Sequence, residues 1–97
     1  MEQEIIDLEV YAKEGKTPPP GKKYQIRVDN VKFVTDKESL KGREILQLAG
    51  KLPIERFQLN QKIKGGQVKR IDYDEVVSFI TPGVERFMTV PLDQTEG

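Results

Sequence analysis

YQIRVDNVKFVTD, residues 24–36, is the stretch on which the fold turns. Tyr24, Ile26 and Val28 alternate with Gln25, Arg27 and Asp29, the period-two pattern of a strand with one buried face. Asp29-Asn30 follows as a turn pair, because both side chains hydrogen-bond nearby backbone and Asn tolerates positive φ. Val31 and Phe33 then alternate against Lys32. Two such runs around a tight turn make a β-hairpin.

Working outward, KESLKGREILQLAGKLP (37–53) carries one apolar stripe, Ile45, Leu46, Leu48 and Ala49, edged by Arg43, Glu44, Gln47 and Lys51. Gly50 is placed for a left-handed C-cap, and Pro53 stops the helix from resuming. Lys41 stands where a Ser or Thr cap is expected, so Ser39 is the expected cap. A helix this short depends on packing its stripe against a sheet.

ERFQLNQKI (55–63) reads as a strand with Phe57, Leu59 and Gln61 on one face. Lys64-Gly65-Gly66-Gln67 is a turn and VKRIDY (68–73) a weaker strand. DEVVSFI (74–80) supplies the apolar cluster Val76, Val77, Phe79 and Ile80. After the turn TPG, VERFMTV (84–90) is a final strand, with Val84, Arg86, Met88 and Val90 opposite Glu85, Phe87 and Thr89. A hairpin, one helix and further strands fit a mixed sheet of four to five strands gripping that helix, an α+β β-grasp. Placing the first and last strands side by side requires a right-handed crossover through the helix. On periodicity alone a ferredoxin-like or other small α+β fold stays open, although it normally wants a second full helix.

Residues 1–23 form a leader. In QEIIDLEVYAKEG (3–15), Ile5, Leu8 and Ala12 recur at helical spacing, while Ile6, Leu8, Val10 and Ala12 alternate as in a strand. Early acids, late Lys13 and Gly15 favour a short helix. GKTPPPGKK (15–23) favours polyproline II, a stiff spacer that argues against integrating the leader into the domain at 24–91.

Composition narrows function. Lys+Arg and Asp+Glu are both 16 in 97 residues, against the strong basic excess of a general nucleic-acid binder. Without Cys or His there are no disulfides, thiol nucleophiles or Cys/His zinc sites, and the side chain best suited to proton transfer near neutral pH is missing. No apolar run approaches the ~18 residues of a membrane span, and the acidic MEQEIIDLEV lacks the form of a secretory signal. The expectation is a soluble cytoplasmic protein, acting neither on nucleic acid nor at a membrane.

YQIRVDN with KFVTD, GREILQLAGK (42–51), RFQLNQKIKGGQ (56–67) and ITPGVERFMTVPLDQTEG (80–97) together resemble the bacterial multi-ubiquitin family. These are ubiquitin-like β-grasp domains, often in tandem; this chain shows one. The resemblance implies a modifier, not an enzyme, with no cofactor of its own. A partner activating-enzyme-like adenylyltransferase uses ATP to activate its C-terminal glycine carboxylate. A conjugating-enzyme-like protein carries it to protein targets, and a processing peptidase acts on the same tail. Gly97 is then the conjugated residue, and Leu92, Asp93, Gln94, Thr95 and Glu96 form the tail (92–97) that those enzymes bind. Acyl transfer to an outside nucleophile suits a polar, unbranched end, and Pro91 ends the last strand by removing a ladder donor. Glu96 stands where ubiquitin and many sulfur carriers have Gly, so the enzyme channel must be roomier or more basic. Arg86, Phe87 and Met88 are the expected partner surface, with Phe87 and Met88 on opposite faces.

Other groupings have plainer readings. Gly65-Gly66 among lysines lacks the strand-then-helix setting and GK[ST] ending of a phosphate loop, and reads as a turn. Asp72, Asp74 and Glu75 lack the spacing and turning glycine of a calcium loop. Arg56, Arg70 and Arg86 would make a basic patch but for interleaved acids. Two other functions share this sequence pattern: a sulfur carrier ending in a thiocarboxylate, and a β-grasp interaction module that is never conjugated.

Overall fold

A computed structural model of the chain describes residues 4–63 and 65–92. In chain order its elements are β1 (Ile5–Asp7), α1 (Leu8–Lys13), β2 (Lys23–Val28), β3 (Val31–Thr35), β4 (Ser39–Lys41), α2 (Gly42–Leu48), a 3-10 turn (Ile54–Arg56), β5 (Phe57–Ile63), β6 (Val68–Ile71), β7 (Val76–Ser78) and β8 (Val84–Pro91). The hairpin forms where the alternation places it. β2 and β3 pair antiparallel, Val28 opposite Val31, with Asp29 at φ +57° in the turn.

The other edge of β2 is shared by two strands. β1 runs parallel along its first half, Ile5 opposite Lys23 through Asp7 opposite Gln25. β8 joins parallel at Val28 opposite Phe87 and pairs antiparallel with β5 along its other edge. β6 closes the sheet beyond β5. The first hairpin strand and the last strand are therefore central neighbours, as the β-grasp requires. The main sheet has six strands among the described residues, and β4 pairs with β7 in a separate two-stranded ribbon. The expectation of four to five strands was too low by the leader strand and this ribbon.

Tyr24, Ile26 and Val28 from β2, Leu59 from β5, Phe87 from β8 and Ile45 and Leu46 from α2 are buried in one core, joined by Phe79 and Val77. Each such side chain is worth about 1.5–3 kcal/mol of transfer free energy, which is how a seven-residue helix is held. Its start differs from the expectation. Ser39 is not a cap; it pairs with Ser78 in the ribbon. The cap position is Lys41, whose N–H donates to Glu44 Oε1 at 2.8 Å. The exposed first amides of α2 are met from outside: Gly42 N–H donates to Glu75 O and Arg43 N–H to Tyr73 O, both 2.9 Å. That close approach leaves no room for a side chain at position 42. The helix ends as anticipated, at Gly50 with φ +73°.

The leader does not stand apart. Ile6 and Leu8 are buried in the main core, and Ala12 is buried on the inner side of α1. The leader is a three-residue strand, then a six-residue helix capped by the Asp7 carboxylate, which accepts from Glu9 N–H at 3.1 Å; Leu8 and Ala12 keep their helical spacing, whereas Ile5 and Val10 are exposed and the strand-like alternation stops at Asp7. The proline spacer is tied down at its far end, where Tyr24 Oη–H donates to Pro19 O at 2.6 Å and Gly21 N–H to Glu38 Oε2 at 2.8 Å. α1 packs against β2 and β8. Its Glu9 carboxylate accepts from Arg27 Nη1 at 3.1 Å, and Asp7 accepts from Gln25 Nε2 at 3.0 Å. Gln25 and Arg27 alternate with the core residues of β2, so α1 lies over the sheet face opposite the one α2 covers.

Candidate functional site

The tail root is where β8 leaves the sheet. Phe57 pairs with Pro91, and Leu92 N–H donates to Arg56 O at 2.8 Å, so pairing continues one residue past the proline expected to end it. One residue of the first hairpin turn holds this strand in place. Asp29 accepts from Thr89 Oγ1–H at 2.6 Å and from Thr89 N–H at 2.9 Å, while its own N–H donates to Phe87 O at 2.9 Å. Lys51, just past the α2 C-cap, reaches Asp29 Oδ2 at 3.5 Å and lies over the Phe57 ring at 5.8 Å. Partial burial alone would raise the Asp29 carboxyl; the two Thr89 hydrogen bonds and the Lys51 ammonium outweigh it and hold the group below the usual carboxylate range. Turn, helix end and last strand thus converge on the point from which Leu92 projects.

Of the anticipated tail residues, Leu92 is described and half-buried; Asp93, Gln94, Thr95, Glu96 and Gly97 lie outside the described residues. The anticipated surface trio divides. Phe87 is fully buried, so it presents nothing to a partner and is removed from that surface, whereas Arg86 and Met88 are half-buried on the other face. The strict alternation expected along β8 fails at its start. The register shifts between Lys62 opposite Arg86 and Ile63 opposite Val84, which inserts Glu85 as an extra residue. Val84 consequently joins the core with Phe87 instead of facing outward with Arg86. Sequence reading missed Asp29, Lys51 and Thr89 as tail-root residues. Asp29 was visible as a turn residue, but its partner lies sixty positions away and only the strand order brings them together.

The remaining groupings resolve structurally. Gly65 and Gly66 lie in the β5–β6 connection, where Ile63 N–H donates to Gln67 O at 2.9 Å; Lys64 lies outside the described residues. Asp74 is engaged by Arg43 at 2.7 Å and Glu75 by Lys69 at 3.0 Å. The Lys69 hydrogen bond, with one from Asp72 N–H, holds the half-buried Glu75 carboxyl below its usual range. Gln58, Arg70, Asp72, Tyr73 and Asp74 line an open cleft of about 350 Å³ at the end of β5 and β6. Among the described residues no helix is long and apolar enough to cross a membrane.

Comparison with known proteins found no match among curated proteins or solved structures. A sequence model of the multiubiquitin family matches residues 24–91, from the start of the hairpin to the end of β8. With that match over more than two thirds of its length and a sheet that grips α2 between the first hairpin and a central last strand, the chain belongs to the multiubiquitin family of ubiquitin-like proteins.

Proposed function

We propose that this ubiquitin-like protein is a modifier, conjugated to cytoplasmic target proteins through the carboxylate of Gly97. It acts as the substrate of its enzymes and performs no catalysis itself. In the first step the carboxylate attacks the α-phosphorus of ATP on an activating-enzyme-like adenylyltransferase, forming an acyl-adenylate and releasing pyrophosphate. An enzyme thiolate then displaces AMP to give a thioester, which passes to a conjugating-enzyme-like protein. Finally a target amine or hydroxyl attacks the thioester carbonyl, expels the thiolate and loses its proton. Residues 92–97 enter the enzyme channel, and a peptidase acts on the same segment.

The observation that supports this reading is the tail root. A central strand pinned on both sides, by β5 and by Asp29, delivers Leu92 at the sheet end from a fixed point, so a partner that grips the domain also knows where the tail begins. The test is intact-mass analysis of the full chain after incubation with ATP and an activating-enzyme-like adenylyltransferase. A thioester-linked adduct through Gly97 that later moves onto other proteins is the expected result. A sulfur-for-oxygen gain on the free chain would instead assign a sulfur carrier. Absence of any adduct, with function unchanged on deletion of residues 96–97, would leave a non-conjugated interaction module.

A further inference from the structure

The main sheet ends in free edges, and β3 is one of them. Asp29 N–H donates to Phe87 O and Lys23 N–H to Glu4 O, so the odd-numbered residues of β2 turn their backbone groups toward β8 and β1. Tyr24, Ile26 and Val28 therefore bond β3 through Thr35, Phe33 and Val31. That leaves the amides and carbonyls of Lys32 and Val34 pointing outward, where no strand of the described residues pairs with them. Val31 and Val34 are 56% and 43% exposed, on opposite faces of the strand.

Sheet edges are ordinarily guarded by charge, proline, a bulge or a covering element. β3 has no proline, and its register with β2 is unbroken. Its one charge, the Lys32 ammonium, is drawn across the sheet to Asp7 at 3.3 Å. β6, at the far edge, is built differently. Ile63 N–H donates to Gln67 O, so the same parity turns Val68 and Arg70 outward and leaves Lys69 between them. Two copies joined along β6 about a two-fold axis would set Lys69 against Lys69, and like charges directly opposite repel. The same operation on β3 sets Phe33 against Phe33, whose ring is half-buried against the core. One edge resists its own copy and the other accepts it.

We propose that β3 pairs antiparallel with β3 of a second copy of this chain, about a two-fold axis through Phe33. Lys32 then exchanges backbone hydrogen bonds with Val34 of the second copy, and Val34 with its Lys32. On the α2 face Phe33 meets Phe33, flanked by Val31 opposite Thr35; on the other face each Lys32 stem lies along the facing Val34. Five residues a side is far below the ~20–30 of a standard interface, so the dimer is weak, half-formed at roughly 0.1–1 mM chain. Copies held close together would pair at their effective concentration instead. β8 runs parallel to β2, so the axis sends the two tails out at opposite ends of the joined sheet. The contact stands whether or not Gly97 is conjugated.

The test is a dilution series of the 15N-labelled full chain, from tens of micromolar to about 2 mM, read by amide shifts and sedimentation equilibrium. The expected result is a monomer–dimer mass curve with shifts concentrated at residues 31–35, largest for the Lys32 and Val34 amides. Two substitutions at exposed Val34 check the register. Val34→Lys sets a lysine opposite Lys32 of the second copy and should weaken association at least about fivefold. Val34→Glu sets a carboxylate there and should hold association at or above the wild-type strength, falling with added salt. Both variants should melt near the wild-type temperature, since Val34 lies outside the core. Should either melt lower, the wild-type shift map still decides. A chain that stays monomeric at ~2 mM, shifts mapping elsewhere, or equal effects of the two substitutions would overturn the proposal.

Discussion

Gly42→Ala tests how the loop between β6 and β7 is fastened to α2. Gly42 has an ordinary backbone conformation, so alanine brings no φ strain and the effect is steric. Its methyl group would press into the Asp72 carbonyl, 3.1 Å from the carbon and closer still to the oxygen, and lie 3.2 Å from Ile71 Cγ2. Backbone and a buried isoleucine cannot swing aside as a flexible side chain would. Overpacking of this kind costs about 1–3 kcal/mol. Moving the loop to relieve it weakens two hydrogen bonds, Gly42 N–H to Glu75 O and Arg43 N–H to Tyr73 O, each worth ~1 kcal/mol net. Better helix propensity returns under ~1 kcal/mol. The expected loss is about 2–3 kcal/mol, against a total stability of ~5–15 kcal/mol. In a domain of this size that lowers the melting temperature by roughly 10–20 °C. Urea unfolding followed by far-UV circular dichroism measures it. Gly50→Ala is the control, since nothing lies within 4 Å of its added methyl and its φ of +73° costs only about 1–2 kcal/mol. If Gly42→Ala were as stable as wild type, or less harmful than Gly50→Ala, the reasoning from this close contact would be wrong.

Three other outcomes follow from the same structure. Ile6→Ala and Leu8→Ala should each cost about 2–4 kcal/mol in urea unfolding, because both side chains are buried in the core although they lie outside the family match; near-neutral effects would show that the leader is not part of the domain. The lowered Asp29 pKa contributes stability that is present above the unfolded Asp value of about 4 and lost as pH falls through the folded value. Asn at 29 accepts the turn's positive φ but carries no charge, so Asp29→Asn should flatten the acid limb of a stability–pH profile, and an unchanged limb would count against the Thr89–Lys51 assignment. Deleting residues 96–97 should abolish the ATP-dependent adduct with the activating enzyme and leave the melting curve in place; a persisting adduct would move the reactive carboxylate elsewhere.

Local pattern carried much of the fold. Tyr24, Ile26 and Val28, the stripe at Ile45 and Leu46, and Gly50 all do what their spacing requires, because each depends on neighbours within one turn or one strand. What could not be read locally depends on pairing. Three residues, Ile5–Asp7, are too few to show alternation against an overlapping helical period, and their strand exists only because β8 meets β2 at Val28 and leaves the first half of that edge open. Val84 changed faces because of one bulge residue, which no alternation rule anticipates.

The same reasoning explains why the basic patch looked unconvincing as sequence. Along the chain, Arg70 is followed by acids at 72, 74 and 75, and Arg86 follows Glu85, so neutral pairing was the plainer reading. In the sheet three of those four acids are claimed by others, Asp74 by Arg43, Glu75 by Lys69 and Glu85 by Lys62, while Asp72 makes no ion pair among the described residues. Each commitment is set by strand register or by the loop that meets the α2 N-terminus. Charge balance over the whole chain, 16 against 16, therefore conceals a local imbalance on one face. α1 packs against β2 and β8 on the face opposite α2, and Leu92 leaves from the sheet end that Asp29 secures.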